Sequence, residues 1–109
     1  MPFHTTINTI NGELRVSITE RTSTGTVVRL TGYGPVGKST VRWAMEDELR
    51  KRGCSIAFSD QELTKDFGFL PADRLVVDDA HVKTVISIFR SHGIPALRNA
   101  GLISSDARA

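Results

Sequence analysis

Nine consecutive residues constrain this chain more than any others: Gly32, Tyr33, Gly34, Pro35, Val36, Gly37, Lys38, Ser39 and Thr40. They fill the pattern G-x-x-x-x-G-K-S/T and lie between an apolar run with strand character (26–31) and a run with helical periodicity (38–52). A strand that must turn through glycines into a helix leaves few folds open. The glycines let successive backbone N–H groups turn toward an anion, the helix adds the positive end of its dipole, and Lys38 supplies a mobile charge. The same residues also fit a plain connector, in which Ser39 or Thr40 caps the helix.

Before the loop, Leu14, Val16 and Ile18 alternate with Arg15, Ser17 and Thr19, the period of a strand with one wet face. Small polar residues ending in Gly25 predict a turn, and Val27, Val28 and Leu30 resume the strand, so the two runs predict an N-terminal β-hairpin. Arg29, midway along the second run, must reach solvent or a partner. Residues 1–11 are polar and threonine-rich, with Phe3, Ile7 and Ile10 as anchors, and predict an ordered edge segment or an arm.

After the loop, Val41, Ala44, Met45, Glu48 and Leu49 form one helical stripe, with Gly53 placed to end the helix. Trp43 falls on the polar side, where it either packs under a neighbouring loop or meets a partner. Residues 54–58 predict a short strand with Asp60 just beyond it, placed either to face the loop or to cap a short helix through residues 62–66. Residues 74–79 predict a further strand, ending in Asp78 and Asp79. Either of these carboxylates can cap the next helix, whose face is Val82, Val85, Ile86 and Phe89 and which Gly93 closes. Residues 104–109 predict a frayed tail. His81 and His92 read as surface or helix-end residues, and lone Cys54 as a small buried one.

The loop resembles that of the P-loop nucleoside triphosphate-binding proteins, and the succession of loop, helix, short strand and Ser59-Asp60 is similar to that of their small-molecule kinases. The resemblance implies that Gly32, Gly34, Pro35, Val36, Gly37, Lys38, Ser39 and Thr40 hold the phosphates of ATP or another nucleoside triphosphate. It implies that Ser39, with Asp78 or Asp79, holds magnesium, and that Asp60 orients an acceptor hydroxyl or acts as its base. In that family the strand feeding the loop is central, parallel to its neighbours and buried on both faces, which Arg29 opposes. At 109 residues the chain is short for such an enzyme, and a reduced relative that binds without catalysis fits the length as well as a kinase does.

The expected fold is a single α/β domain over residues 1–109, a small mixed sheet in β-β-α-β-α-β-α order with two main helices and a short third one; the alternative is an α+β two-layer sandwich. A hydrophobic content of 39% and a charged content of 24% exclude a disordered or fibrous class. No apolar run reaches the length of a membrane span and residues 1–12 lack a signal pattern, so the expected location is cytoplasmic.

Two non-enzymatic readings stand beside the phosphate loop. A binding or regulatory module would use Arg15 and Arg29 on the wet hairpin face against nucleic acid or an acidic protein, nucleic acid being the less favoured because no aromatics are interleaved. A homo-oligomer would use the Trp43 side of the first long helix. Sheet topology discriminates: a parallel strand order around the loop favours the phosphate reading, and an antiparallel meander favours the module.

Overall fold

The computed structural model describes residues 3–62 and 72–104. Its elements are β1 (Phe3–Thr9), β2 (Gly12–Glu20), β3 (Thr26–Thr31), α1 (Lys38–Lys51), β4 (Ile56–Glu62), β5 (Ala72–Val77) and α2 (Val82–Ile88). A π-helical turn (Phe89–Gly93) follows α2 and runs straight into α3 (Ile94–Asn99). The five strands form one sheet in the order β1-β2-β3-β5-β4, with every pairing antiparallel.

The expected hairpin is present, with Val16 opposite Leu30 and Ile18 opposite Val28, and the mixed α/β class holds in its two-layer form. Alternation decides the layers, because successive strand residues point to opposite faces. One face carries Leu14, Val16, Ile18, Val28, Leu30, Leu75 and Val77, all buried, and receives Val41, Met45 and Leu49 of α1 with Val85, Ile88 and Phe89 behind them. The edge segment at the N-terminus is strand β1, with Phe3 and Ile7 half-buried against this core and Ile10 exposed in the turn after it.

Helix α1 has the expected stripe and stops as expected. Gly53 takes a φ of +82°, its N–H bonds back to the Arg50 carbonyl at 3.0 Å, and the Cys54 N–H bonds to Leu49 at 3.0 Å. Cys54 itself is only half-buried.

Three expectations change. Gly93 does not close the second helix: its φ is a helical −70°, and the π turn carries the chain on into α3, whose first turn tolerates Pro95. The reason is close packing, since a Cβ at Gly93 would sit 3.2 Å from Val41 and 3.6 Å from Met45. Neither Asp78 nor Asp79 caps α2; His81 does, its Nδ1 accepting from the Lys83 N–H at 3.2 Å. Asp60 begins no helix, because β4 continues through Glu62; the rest of the expected short helix lies outside the described residues.

Candidate functional site

The loop leaves β3 at Thr31 and enters α1 through Gly37, whose φ of +102° is left-handed. A side chain there would be strained and would also collide with Leu97, and with Leu102 at 2.9 Å. The backbone therefore lies directly on α3 and the turn that follows it. From the other side, Asn11 in the β1–β2 turn donates its amide to the Pro35 carbonyl at 2.8 Å, and the Ile10 N–H bonds to the Leu102 carbonyl at 3.0 Å. Three separate parts of the chain thus fix the loop's path.

Lys38 is the first residue of α1 and is only 7% exposed. Its Nζ donates to the Gly32 carbonyl at 2.8 Å and the Gly34 carbonyl at 3.0 Å, so the ammonium spans the loop from within. No side chain caps the N-terminus of α1, and its first turn has no acidic residue. The N–H groups of that turn lack intrahelical partners, as in any α-helix, and carry the positive end of the dipole. They open on a cleft of about 410 Å³ lined by Asn11, Pro35, Lys38, Ser39, Thr40 and Gln61, among others. Among the described lining residues there is no carboxylate, and Lys38 is the one cation.

Behind the cleft lies an ionic network that the sequence did not suggest. Asp73 is wholly buried on the core face of β5, where its Oδ2 accepts from Ser39 Oγ at 2.9 Å and from Arg42 Nε at 2.8 Å. Its Oδ1 is buried without a hydrogen-bond partner. Arg42 also donates to Ser59 Oγ at 2.9 Å, and Ser59 in turn donates to Glu46. Burial pushes the Glu46 carboxyl up, but the hydrogen bonds from Ser59 and Arg50, with the Arg50 and Arg42 charges, outweigh it and hold the pKa below 4.5. The readable signal was parity: Asp73 shares its face with Leu75 and Val77, which makes it a charge aimed at the core.

Antiparallel pairing decides which expected residues reach the loop. Thr31 lies opposite Ala72, while Thr26 lies opposite Val77, so the chain beyond Val77 belongs to the end of the sheet away from the loop. Asp78 pairs there with Arg21 at 2.8 Å, and Asp79 accepts from the Ser55 N–H at 2.8 Å. Asp73, not Asp78 or Asp79, is the carboxylate brought to Ser39. Asp60 lies opposite Arg74 on the sheet face away from α1, 3.5 Å from the Arg74 guanidinium; Gln61, one residue on, lines the cleft in its stead. Arg15 and Arg29 share that outer face and are exposed, and Trp43 is 61% exposed on α1 with the Arg42 guanidinium 5.9 Å from its ring. Among the described residues no three His, Cys, Asp or Glu side chains cluster as a metal site, and no helix is long and apolar enough to cross a membrane.

No family model matches the chain, and no solved structure does. Two relatives do. An adenylyl-sulfate kinase of Deinococcus deserti is 35% identical over 89 residues, which is 74% of this chain and 47% of the relative. A probable adenylyl-sulfate kinase of Pseudomonas aeruginosa is 44% identical over 55 residues, 46% of this chain and 26% of the relative. The chain spans less than half the length of either. These partial likenesses to two kinases support a P-loop-like relationship for the part of the chain they cover.

Proposed function

We propose that the cleft at the start of α1 binds the phosphates of a nucleotide, ATP or another nucleoside triphosphate, in a relative of P-loop kinases. The observation that carries the reading is Lys38, an ammonium held inside the glycine loop by two of its carbonyls beside an uncapped helix N-terminus and a cleft with no carboxylate among its described lining residues. An anion entering there gains the first-turn N–H groups and draws on Lys38, and meets no like charge among the described lining residues. The names of the two relatives lend independent support, and they suggest adenylyl sulfate as a further ligand to test.

Magnesium fits the residues present. The Ser39 hydroxyl and the unpartnered Asp73 Oδ1 are the hard oxygen donors such an ion takes, and magnesium commonly completes its shell with water and phosphate oxygens. Bound there, it would offset phosphate charge. Asp73 holds the Ser39 hydroxyl and the Arg42 guanidinium in place, and Gln61 offers an amide at the cleft wall.

Calorimetric titration of ATP, GTP, adenylyl sulfate and inorganic phosphate, with magnesium, into wild type and Lys38→Ala tests this reading. Binding by the wild type that the variant loses, with both folded alike, is the expected result. Silence from the wild type at millimolar ligand would reduce residues 32–40 to a connector.

The antiparallel sheet favours a second reading, a binding module without catalysis, since β3 has antiparallel neighbours on both sides and Arg29 is exposed midway along it. The two readings are compatible, because a cleft that binds a nucleotide needs no parallel sheet behind it.

A further inference from the structure

We infer that the outer edge of β1 accepts a strand from a partner protein, an extended acidic segment that adds a sixth strand to the sheet. β1 lies at one end of the five-stranded order, with β2 as its one strand neighbour. Among the described residues, the backbone groups of β1 that face away from β2 make no hydrogen bond. Edges of this kind are ordinarily blunted by a bulge, a proline or charged side chains. β1 has none of these: its seven residues pair with β2 without a register shift, and none is Pro, Lys, Arg, Asp or Glu. The opposite edge is guarded, since β4 carries a register shift between Ile56 and Phe58 and the charge of Asp60.

Beside the β1 edge, on the helix side, a groove of about 530 Å³ is lined by Phe3 of β1 and by Lys83, Ile86, Ser87, Arg90 and Ser91 of α2 and the π turn. Phe3 and Ile86 are half-buried against the core and form its apolar floor; Phe3 packs edge-on against Phe89, with ring centroids 6.0 Å apart. The Arg90 guanidinium stands 5.3 Å from the Phe3 ring centroid, carried there by the π turn, a departure from regular helix that recurs at functional sites. Lys83 and Arg90 are exposed, and neither makes an ion pair among the described residues. No carboxylate stands among the described lining residues either.

A strand hydrogen-bonded to β1 would lie about 4.8 Å beyond it and turn every second side chain toward the groove. Its main chain would supply affinity and its side chains the choice of partner. Apolar side chains there would extend the floor, and carboxylates would meet Lys83 and Arg90. A second copy of β1 fits less well, because it brings no acidic residue and leaves both cations unanswered. A nucleic acid would meet the cations but has no row of N–H and C=O groups to pair with the edge.

Fluorescence anisotropy of two labelled synthetic peptides with the full chain tests the assignment. Each has the length of β1, seven residues, with threonine at every second position. In the first, glutamate and valine fill the remaining positions in turn; in the second, lysine replaces glutamate. The glutamate peptide should bind, more weakly as salt rises, and the lysine peptide should not. Lys83→Gln with Arg90→Gln should weaken binding about threefold or more. Lys83→Glu with Arg90→Glu should reverse the preference, taking the lysine peptide and refusing the glutamate one, which an unfolded variant could not do. N-methylation of alternate peptide residues, made in both phases, separates strand addition from charge attraction. One phase removes the N–H groups that face β1 and should abolish binding, while the other should retain it. No binding of the glutamate peptide at millimolar concentration, or equal binding in the two N-methylated phases, would overturn the inference. So would dimerisation of the wild type, seen by sedimentation, that the peptide reverses, since the edge would then belong to a second copy.

Discussion

The Ser39 hydroxyl donates to Asp73 Oδ2 at 2.9 Å, joining the second residue of α1 to the second residue of β5 across the interface of helix and sheet. Arg42, one helical turn on, reaches the same oxygen at 2.8 Å. The start of α1, and with it the floor of the cleft, is tied to one buried carboxylate.

Asp73→Ala should therefore cost about 3–5 kcal/mol, because it strands the Arg42 guanidinium in the interior. Urea unfolding at neutral pH reads the loss. Arg42→Ala combined with Asp73→Ala should cost clearly less than the two single changes added together, since the double variant leaves no buried charge behind. Additive losses would mean that the pair is not coupled.

Two loop glycines should respond differently to alanine. Gly34 has a φ of +72° and open space around it, so Gly34→Ala should cost only the left-handed penalty, about 1–2 kcal/mol. Gly37 adds a collision with Leu97 and Leu102 to the same penalty, so Gly37→Ala should cost more and should also disturb α3. Thermal unfolding of the two variants side by side gives the order.

Lys38→Met should lower stability by about 1.5–3 kcal/mol even without ligand, because two charge-assisted hydrogen bonds to Gly32 and Gly34 disappear. Chemical denaturation of the ligand-free protein measures it. A variant as stable as wild type would show that the lysine does not brace the loop.

Stability should fall in acid, in part through Glu46. Its folded pKa lies below the ordinary 4.5, so it binds protons less readily folded than unfolded. That contribution is complete above 4.5 and is lost as pH falls through the lower folded value. Denaturation midpoints between neutral pH and about pH 3 should decline less steeply in Glu46→Gln than in wild type.

Much of this architecture was legible where a single period ran long enough. Leu14, Val16 and Ile18 announced β2, and Val41, Met45 and Leu49 announced the buried side of α1. Strand order was not legible, because local alternation says which face a residue takes and nothing about its neighbour. That gap moved the magnesium expectation from Asp78 and Asp79 to Asp73: in an antiparallel pair the beginning of β5, not its end, stands beside the loop. A single step of parity likewise put Asp60 on the outer face and Gln61 in the cleft. The lysine in the glycine loop could be singled out from sequence, whereas the carbonyls holding it could not, since backbone partners leave no mark in side-chain pattern.

The bracing of the loop by Asn11, Leu97 and Leu102 bears on when the cleft comes into being as the chain folds. These residues come from near the two ends of the described chain, and contacts of such separation close only after a large loss of chain freedom. The cleft is thus a late product of folding, absent from any intermediate in which the ends have not met. A ligand seated there would act as a further strut, raising the melting temperature of the whole domain in proportion to the logarithm of its concentration.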